Sequence, residues 1–110
     1  MPKFVTIGYG DETGYKRTAA PIIEAAHAQD ARLREKGAVV GVAGKPVQVR
    51  NPDASKVETK NLPFMSSALP VAGFGIIEAK DLEEAIDLVS KTPCAVAHGV
   101  VEVWPLKESP

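Results

Sequence analysis

Val71-Ala72-Gly73-Phe74-Gly75-Ile76-Ile77-Glu78, then Asp81-Leu82-Glu83-Glu84-Ala85-Ile86-Asp87-Leu88-Val89, then Val100-Val101-Glu102-Val103-Trp104, is the stretch whose reading decides the fold. The first run is short and apolar, which predicts a strand. The second opens with Asp81 and Glu84 at capping-box spacing, where each side chain can satisfy a backbone N–H that the first helical turn leaves free. Pro93 prevents that helix from continuing, and the third run restarts extended structure before Pro105. Strand, capped helix, proline stop and strand follow one another within one third of the chain.

The first third has the same shape. Lys3 to Tyr9 is β-rich and ends in Gly10-Asp11-Glu12-Thr13-Gly14, which reads as a loop. A helix is expected from near Thr18 as N-cap, with Pro21 tolerated in the first turn and Gly37 supplying the stop. Ile22, Ala26, Gln29 and Leu33 form one helical row, with Ile23 beside it, and Ala38 to Val42 is the second strand. Two such units predict a ferredoxin-like α+β domain over residues 1–110: an antiparallel sheet with two helices on one face. Between the units, Val47–Arg50 and Lys56–Thr59 read as arms of a short hairpin around Asn51-Pro52-Asp53. Asn61 to Pro70 is the longest irregular stretch, of the kind that often carries function or an oligomer contact.

The strands are apolar on both alternations. Val5, Ile7 and Tyr9 oppose Phe4 and Thr6, and Val101 and Val103 oppose Val100 and Trp104. Helices on one face leave the other bare, so a second copy of the chain is the expected cover. At 110 residues and 45% hydrophobic, the chain has the size and composition of one globular domain. A formal charge of −1 with both signs interspersed gives no footprint for nucleic acid. No apolar run is long enough to span a membrane and no signal-peptide pattern opens the chain, so no membrane partner is expected. The single Cys94 makes no internal disulfide and fits a reducing, cytoplasmic setting.

With these elements placed, the chain resembles the YCII-related family, including its DGPF subgroup. The resemblance runs over nearly the whole chain. It rests on Ile7-Gly8-Tyr9-Gly10-Asp11, on Leu33-Arg34-Glu35-Lys36-Gly37, on Val47 to Arg50 and on Val101-Glu102-Val103-Trp104-Pro105. Its most specific part is Gly73 to Ala85. The subgroup's Asp-Gly-Pro-Phe stands here as Asn61-Leu62-Pro63-Phe64, and Met65-Ser66-Ser67-Ala68-Leu69 replaces the acidic and threonine residues usual after it. The resemblance implies a dimeric α+β barrel in which two sheets enclose a pocket for a small organic molecule. One branch of the family eliminates chloride from a hydroxylated aromatic ring, a precedent for cofactor-independent acid/base chemistry.

The candidate catalytic pair is His27 and Asp30. They are neighbours at i and i+3 on a helix, so the carboxylate can reach the imidazole and hold its tautomer. Some relatives pair a histidine near this position with an aspartate just beyond the second strand; here that stretch is Ala43-Gly44-Lys45-Pro46-Val47, leaving Asp30 as the substitute. Tyr9, Phe64 and His98 are the candidate ligand-binding residues; His98 stands where a glycine is more usual in the family. Two histidines and one thiol do not make a metal site, and no cofactor is expected. Gly8 to Gly14 only imitates a dinucleotide fingerprint, being one residue too long and carrying two acids where N–H donors are needed. Gly41 to Lys45 is not a P-loop. Cys94 lacks an organising third residue and reads as structural. Two readings stay open: an acid/base enzyme of lyase or dehydrochlorinase type using His27, and a non-catalytic ligand-binding or protein-interaction module.

Overall fold

The computed structural model describes residues 1–107. The elements run β1 (Lys3–Tyr9), α1 (Glu12–Lys16), α2 (Ala20–Glu35), β2 (Val39–Val42), β3 (Gln48–Arg50), β4 (Glu58–Lys60), β5 (Val71–Glu78), α3 (Leu82–Val89), α4 (Pro93–Val96) and β6 (Val100–Leu106), with a 3₁₀ turn at Pro52–Ala54 before β4. β2, β5, β1 and β6 form the main sheet in that order, and every pairing is antiparallel. β1 and β2 are therefore split by β5, and the chain returns to the far edge through β6. This is the ferredoxin-like order that two interlocked strand–helix–strand units give. β3 and β4 pair only with each other, in register Gln48 to Lys60, as a separate hairpin.

The last third folds as its sequence reads, with one change. Asp81 caps α3, its Oδ1 accepting from Glu84 N at 2.9 Å, and Glu84 Oε1 accepts from Lys80 N at 3.1 Å. Pro93 does not merely block a helix: it is the first residue of α4, a position where its missing N–H costs nothing. β6 runs on through Pro105, which an edge strand tolerates because a missing donor need not break a central ladder.

The first third departs further. Residues expected as loop form α1, capped by Asp11, whose Oδ1 accepts from Gly14 N at 3.0 Å. Thr18 is not an N-cap; its hydroxyl donates to Gly14 O at 2.8 Å, and α2 starts after Ala19 with no side-chain cap. The row on α2 holds for Ala26, Gln29 and Leu33, which are buried, while Ile22 faces out. Gln29 ties the helices together: its Nε2 donates to Leu88 O at 2.9 Å, and its Oε1 accepts from the Arg32 guanidinium. Gly37, at φ +96, ends α2 in the left-handed region as expected.

The core lies between the sheet and the helices. Phe4, Ile77, Ala79, Ala85 and Val89 form it, with Val101 and Val103 packed alongside. Register puts Phe4 opposite Ile77, and Thr6 opposite both Gly75 and Val103, so one alternation of β1, β5 and β6 faces the helices. The other alternation carries Val5, Ile7, Phe74, Ile76, Val100 and Trp104. Here Phe74 is 49% exposed and Trp104 56%, against 2% for Ile77. The bare apolar face expected from the sequence is present.

Candidate functional site

A cavity of about 200 Å³ opens between α2 and the sheet. Its floor follows from glycine placement. Gly8 and Gly73 face each other across β1 and β5 on the helix-facing alternation, so the sheet presents backbone where it would otherwise present side chains. A β-bulge falls here, between Gly8 and Tyr9. The wall is apolar, from Leu33, Ile77, Val89 and Val101, with Thr6 contributing a hydroxyl. α4 closes one side: Cys94 lies over Gly8 so tightly that a Cβ there would come within 2.9 Å of its Sγ. Gly99 holds α4 in place, because a Cβ on it would strike the carbonyls of Tyr9 and Cys94.

His27, Asp30 and Arg34 bring ionisable groups to this cavity from one row of α2, at i, i+3 and i+7. Asp30 is half-buried, and desolvation raises its pKa above the usual 3.8, against the opposing pull of Arg34 and His27. His27 is more exposed and stands at the rim. The dyad bond expected from their spacing does not form. Among the described residues the only ion pair is Lys91 to Asp87, at 3.6 Å on the surface of α3. His27 and Asp30 thus face the same space separately.

Tyr15 and Cys94 complete the polar lining, and reading the sequence assigned neither to the site. Burial pushes the Tyr15 phenol up from 10.0, with Cys94 and Asp30 beside it adding to the rise. Burial also raises the Cys94 thiol, reinforced by Asp30, so it is protonated at neutral pH and is not an activated nucleophile. The cavity sets one carboxyl among groups that hold their protons.

The three ligand-binding candidates do not line this cavity. Tyr9 belongs to the open side of the sheet, where its hydroxyl donates to Glu102 Oε1 at 2.6 Å and approaches Met65 Sδ at 3.5 Å. The Glu102 bond, with burial behind it, raises the Tyr9 pKa above 10.0. Phe64 lines a second cavity of about 620 Å³ beneath the 61–70 segment, and the Arg50 guanidinium sits 5.7 Å from its ring centroid. His98 is on the surface beside Arg17, whose NH2 lies 3.4 Å from Nδ1; guanidinium only donates, so Nδ1 accepts there. At φ +62 His98 occupies the left-handed region, the physical reason a glycine suits this position.

The family model for the YCII-related domain matches residues 3–109. The chain belongs to the YCII-related domain family. No curated protein matches it. In this YCII-related chain the stretch after β2 offers no carboxylate to the His27 cavity, and among the described residues Asp30 is the only one lining it. No helix among the described residues is long and apolar enough to cross a membrane. No group of three or more His, Cys, Asp or Glu side chains that could hold a metal occurs among those residues.

Proposed function

We propose that this YCII-related protein binds a small organic molecule in the cavity between α2 and the sheet and acts on it by cofactor-independent proton transfer. The observation that carries the reading is the desolvated Asp30 carboxyl in an apolar-walled cavity, with the His27 imidazole at its rim. A carboxyl made less acidic by burial is a better base when ionised, and works closer to neutral pH, than one in water. Asp30 takes or returns the proton inside; His27 passes it to solvent. A cavity of about 200 Å³ lies below the range of about 300–1,000 Å³ for drug-sized ligands, so the molecule is small. The competing reading, a binding module without chemistry, draws on Tyr15 and Cys94, which are held protonated and offer hydrogen bonds alone.

The test is NMR in two stages. Fragments are screened for amide shifts at His27, Asp30 and Gly8, and the hits are then incubated with protein in D2O. Catalysed loss of a ligand C–H signal, abolished in Asp30→Asn and slowed in His27→Gln, is the expected result. Binding at those amides with no exchange in any hit favours the binding module. Hits mapping elsewhere remove both readings of this cavity.

The open face supports a second proposal, that the protein is a homodimer. Phe74, Ile76, Val100 and Trp104 form an exposed apolar surface on the side of the sheet the helices do not cover. A second copy laid on it completes the barrel that the family resemblance implies. A single 11.7 kDa species in sedimentation equilibrium at micromolar concentration would contradict it.

A further inference from the structure

The second cavity has a chemistry of its own. It lies between the β2–β3 connection, the 61–70 segment and the start of β5, and at about 620 Å³ falls within the range of small-molecule sites, about 300–1,000 Å³. Prolines and large apolar side chains make most of its surface: Pro46, Pro63, Phe64, Leu69, Pro70 and Phe74. The prolines restrict the backbone around it, so part of the ordering a ligand would require is already in place. Two aromatic rings on the wall, Phe64 and Phe74, offer flat contact surfaces.

The polar groups point to one class of ligand. Among the described residues Lys45 is the only charged one lining the cavity, beside the Ser66 hydroxyl, and no Asp or Glu among them lines it. Among the described residues Lys45 has no ion-pair partner, since the one pair there is Lys91 to Asp87. The segment around it is also positive: between residues 43 and 70 Lys45, Arg50, Lys56 and Lys60 stand against Asp53 and Glu58, in a chain whose total charge is −1. Arg50, over the outer ring of Phe64, adds its charge at the same wall. An unpaired ammonium at the edge of an apolar space, with a hydroxyl donor beside it and no described carboxylate, selects an anion attached to an apolar body.

We propose that this cavity is a binding site, separate from the His27 and Asp30 cavity, for an organic acid with an apolar or aromatic body. The acid group meets Lys45 and the Ser66 hydroxyl, and the body lies against Phe64 and Leu69; the Ser67 hydroxyl is held by Leu69 O. The site needs no proton transfer; it holds the molecule. It owes its character to the Met65-Ser66-Ser67-Ala68-Leu69 run, which brings a hydroxyl and apolar side chains and no acid to the wall.

The experiment uses two fluorescent probes of similar shape, the anionic 1-anilinonaphthalene-8-sulfonate and the uncharged N-phenyl-1-naphthylamine, titrated into the full chain. The sulfonate is expected to bind once per chain, and added salt to weaken it. Lys45→Gln should weaken the sulfonate about threefold to fivefold and Lys45→Glu tenfold or more, both leaving the neutral probe unchanged. Phe64→Ala should weaken both probes. Asp30→Asn and His27→Gln should leave both affinities as they were, which separates this site from the proposed reaction. Equal sulfonate binding in wild type and Lys45→Glu would overturn the proposal, as that is adsorption to the open sheet face. Loss of binding in Asp30→Asn or His27→Gln would overturn it too, by placing the probe in the other cavity.

Discussion

The two faces of one sheet differ more than any two elements of this molecule. On the same three strands, Phe4, Ile77, Val101 and Val103 pack beneath helices, while Phe74, Ile76 and Trp104 on the next alternation stand open. Neighbours in sequence therefore do opposite work: Ile77 is 2% exposed and Ile76 43%. Apolar residues on both alternations call for cover on both faces but do not name what supplies it. α2, α3 and α4 cover one and leave a cavity over Gly8 and Gly73; the other is where we place a second copy.

Ile77→Ala against Ile76→Ala breaks or sharpens this contrast most strongly. Truncating Ile77 empties the core and should cost about 2–5 kcal/mol, whereas truncating Ile76 should cost an isolated chain under about 1 kcal/mol. Urea unfolding over a range of protein concentrations separates the two, because any further cost at Ile76 should grow with concentration. Trp104→Glu comes next. A carboxylate set into an aromatic contact should weaken association by about 2 kcal/mol or more, read as a rise in the dimer dissociation constant by sedimentation, with the monomer fold retained by circular dichroism. His98→Gly relieves a left-handed backbone and should raise stability by up to about 1 kcal/mol in thermal melts. It should not alter ligand binding in either cavity.

The smallest effect carries a pH signature. Burial raises the Asp30 pKa above 3.8, so the folded chain holds that proton to higher pH than the unfolded chain does. The group's contribution is then most favourable below pH 3.8 and is lost as pH rises through the raised value. Asp30→Asn should remove that decline and stabilise the protein at neutral pH by under about 1 kcal/mol, because the carboxyl remains partly solvated. A variant less stable than wild type at neutral pH would mean that Asp30 makes a bond the cavity does not show.

How far the fold could be read from residues follows from the strength of each local signal. Asp81, Glu84 and the apolar run from Val71 agree at every level, so β5, α3 and β6 fall where expected. Ahead of α2, Thr18 offered a cap to a helix that starts without one, because Asp11 had already opened α1 and drawn the Thr18 hydroxyl back to Gly14. His27 and Asp30 were legible from helical spacing, but spacing fixes a shared row, not a bond. Tyr15 and Cys94 were hidden because neighbourhood in the cavity comes from α1 and α4 meeting over β1, far apart in sequence. One signal was available. Gly8 and Gly73 lie on the alternation that Phe4 and Ile77 assign to the helices, and two glycines there mark where a sheet leaves room.

The most direct test of the account is the titration of the Asp30 carboxyl by carbon-13 NMR, in wild type and in His27→Ala and Arg34→Ala. The account predicts a midpoint above 3.8 in wild type, rising further in both variants because each removes a positive charge that holds it down, and rising more for Arg34. A midpoint at or below 3.8, unmoved by the loss of His27, would place Asp30 in open water and remove the proposed site.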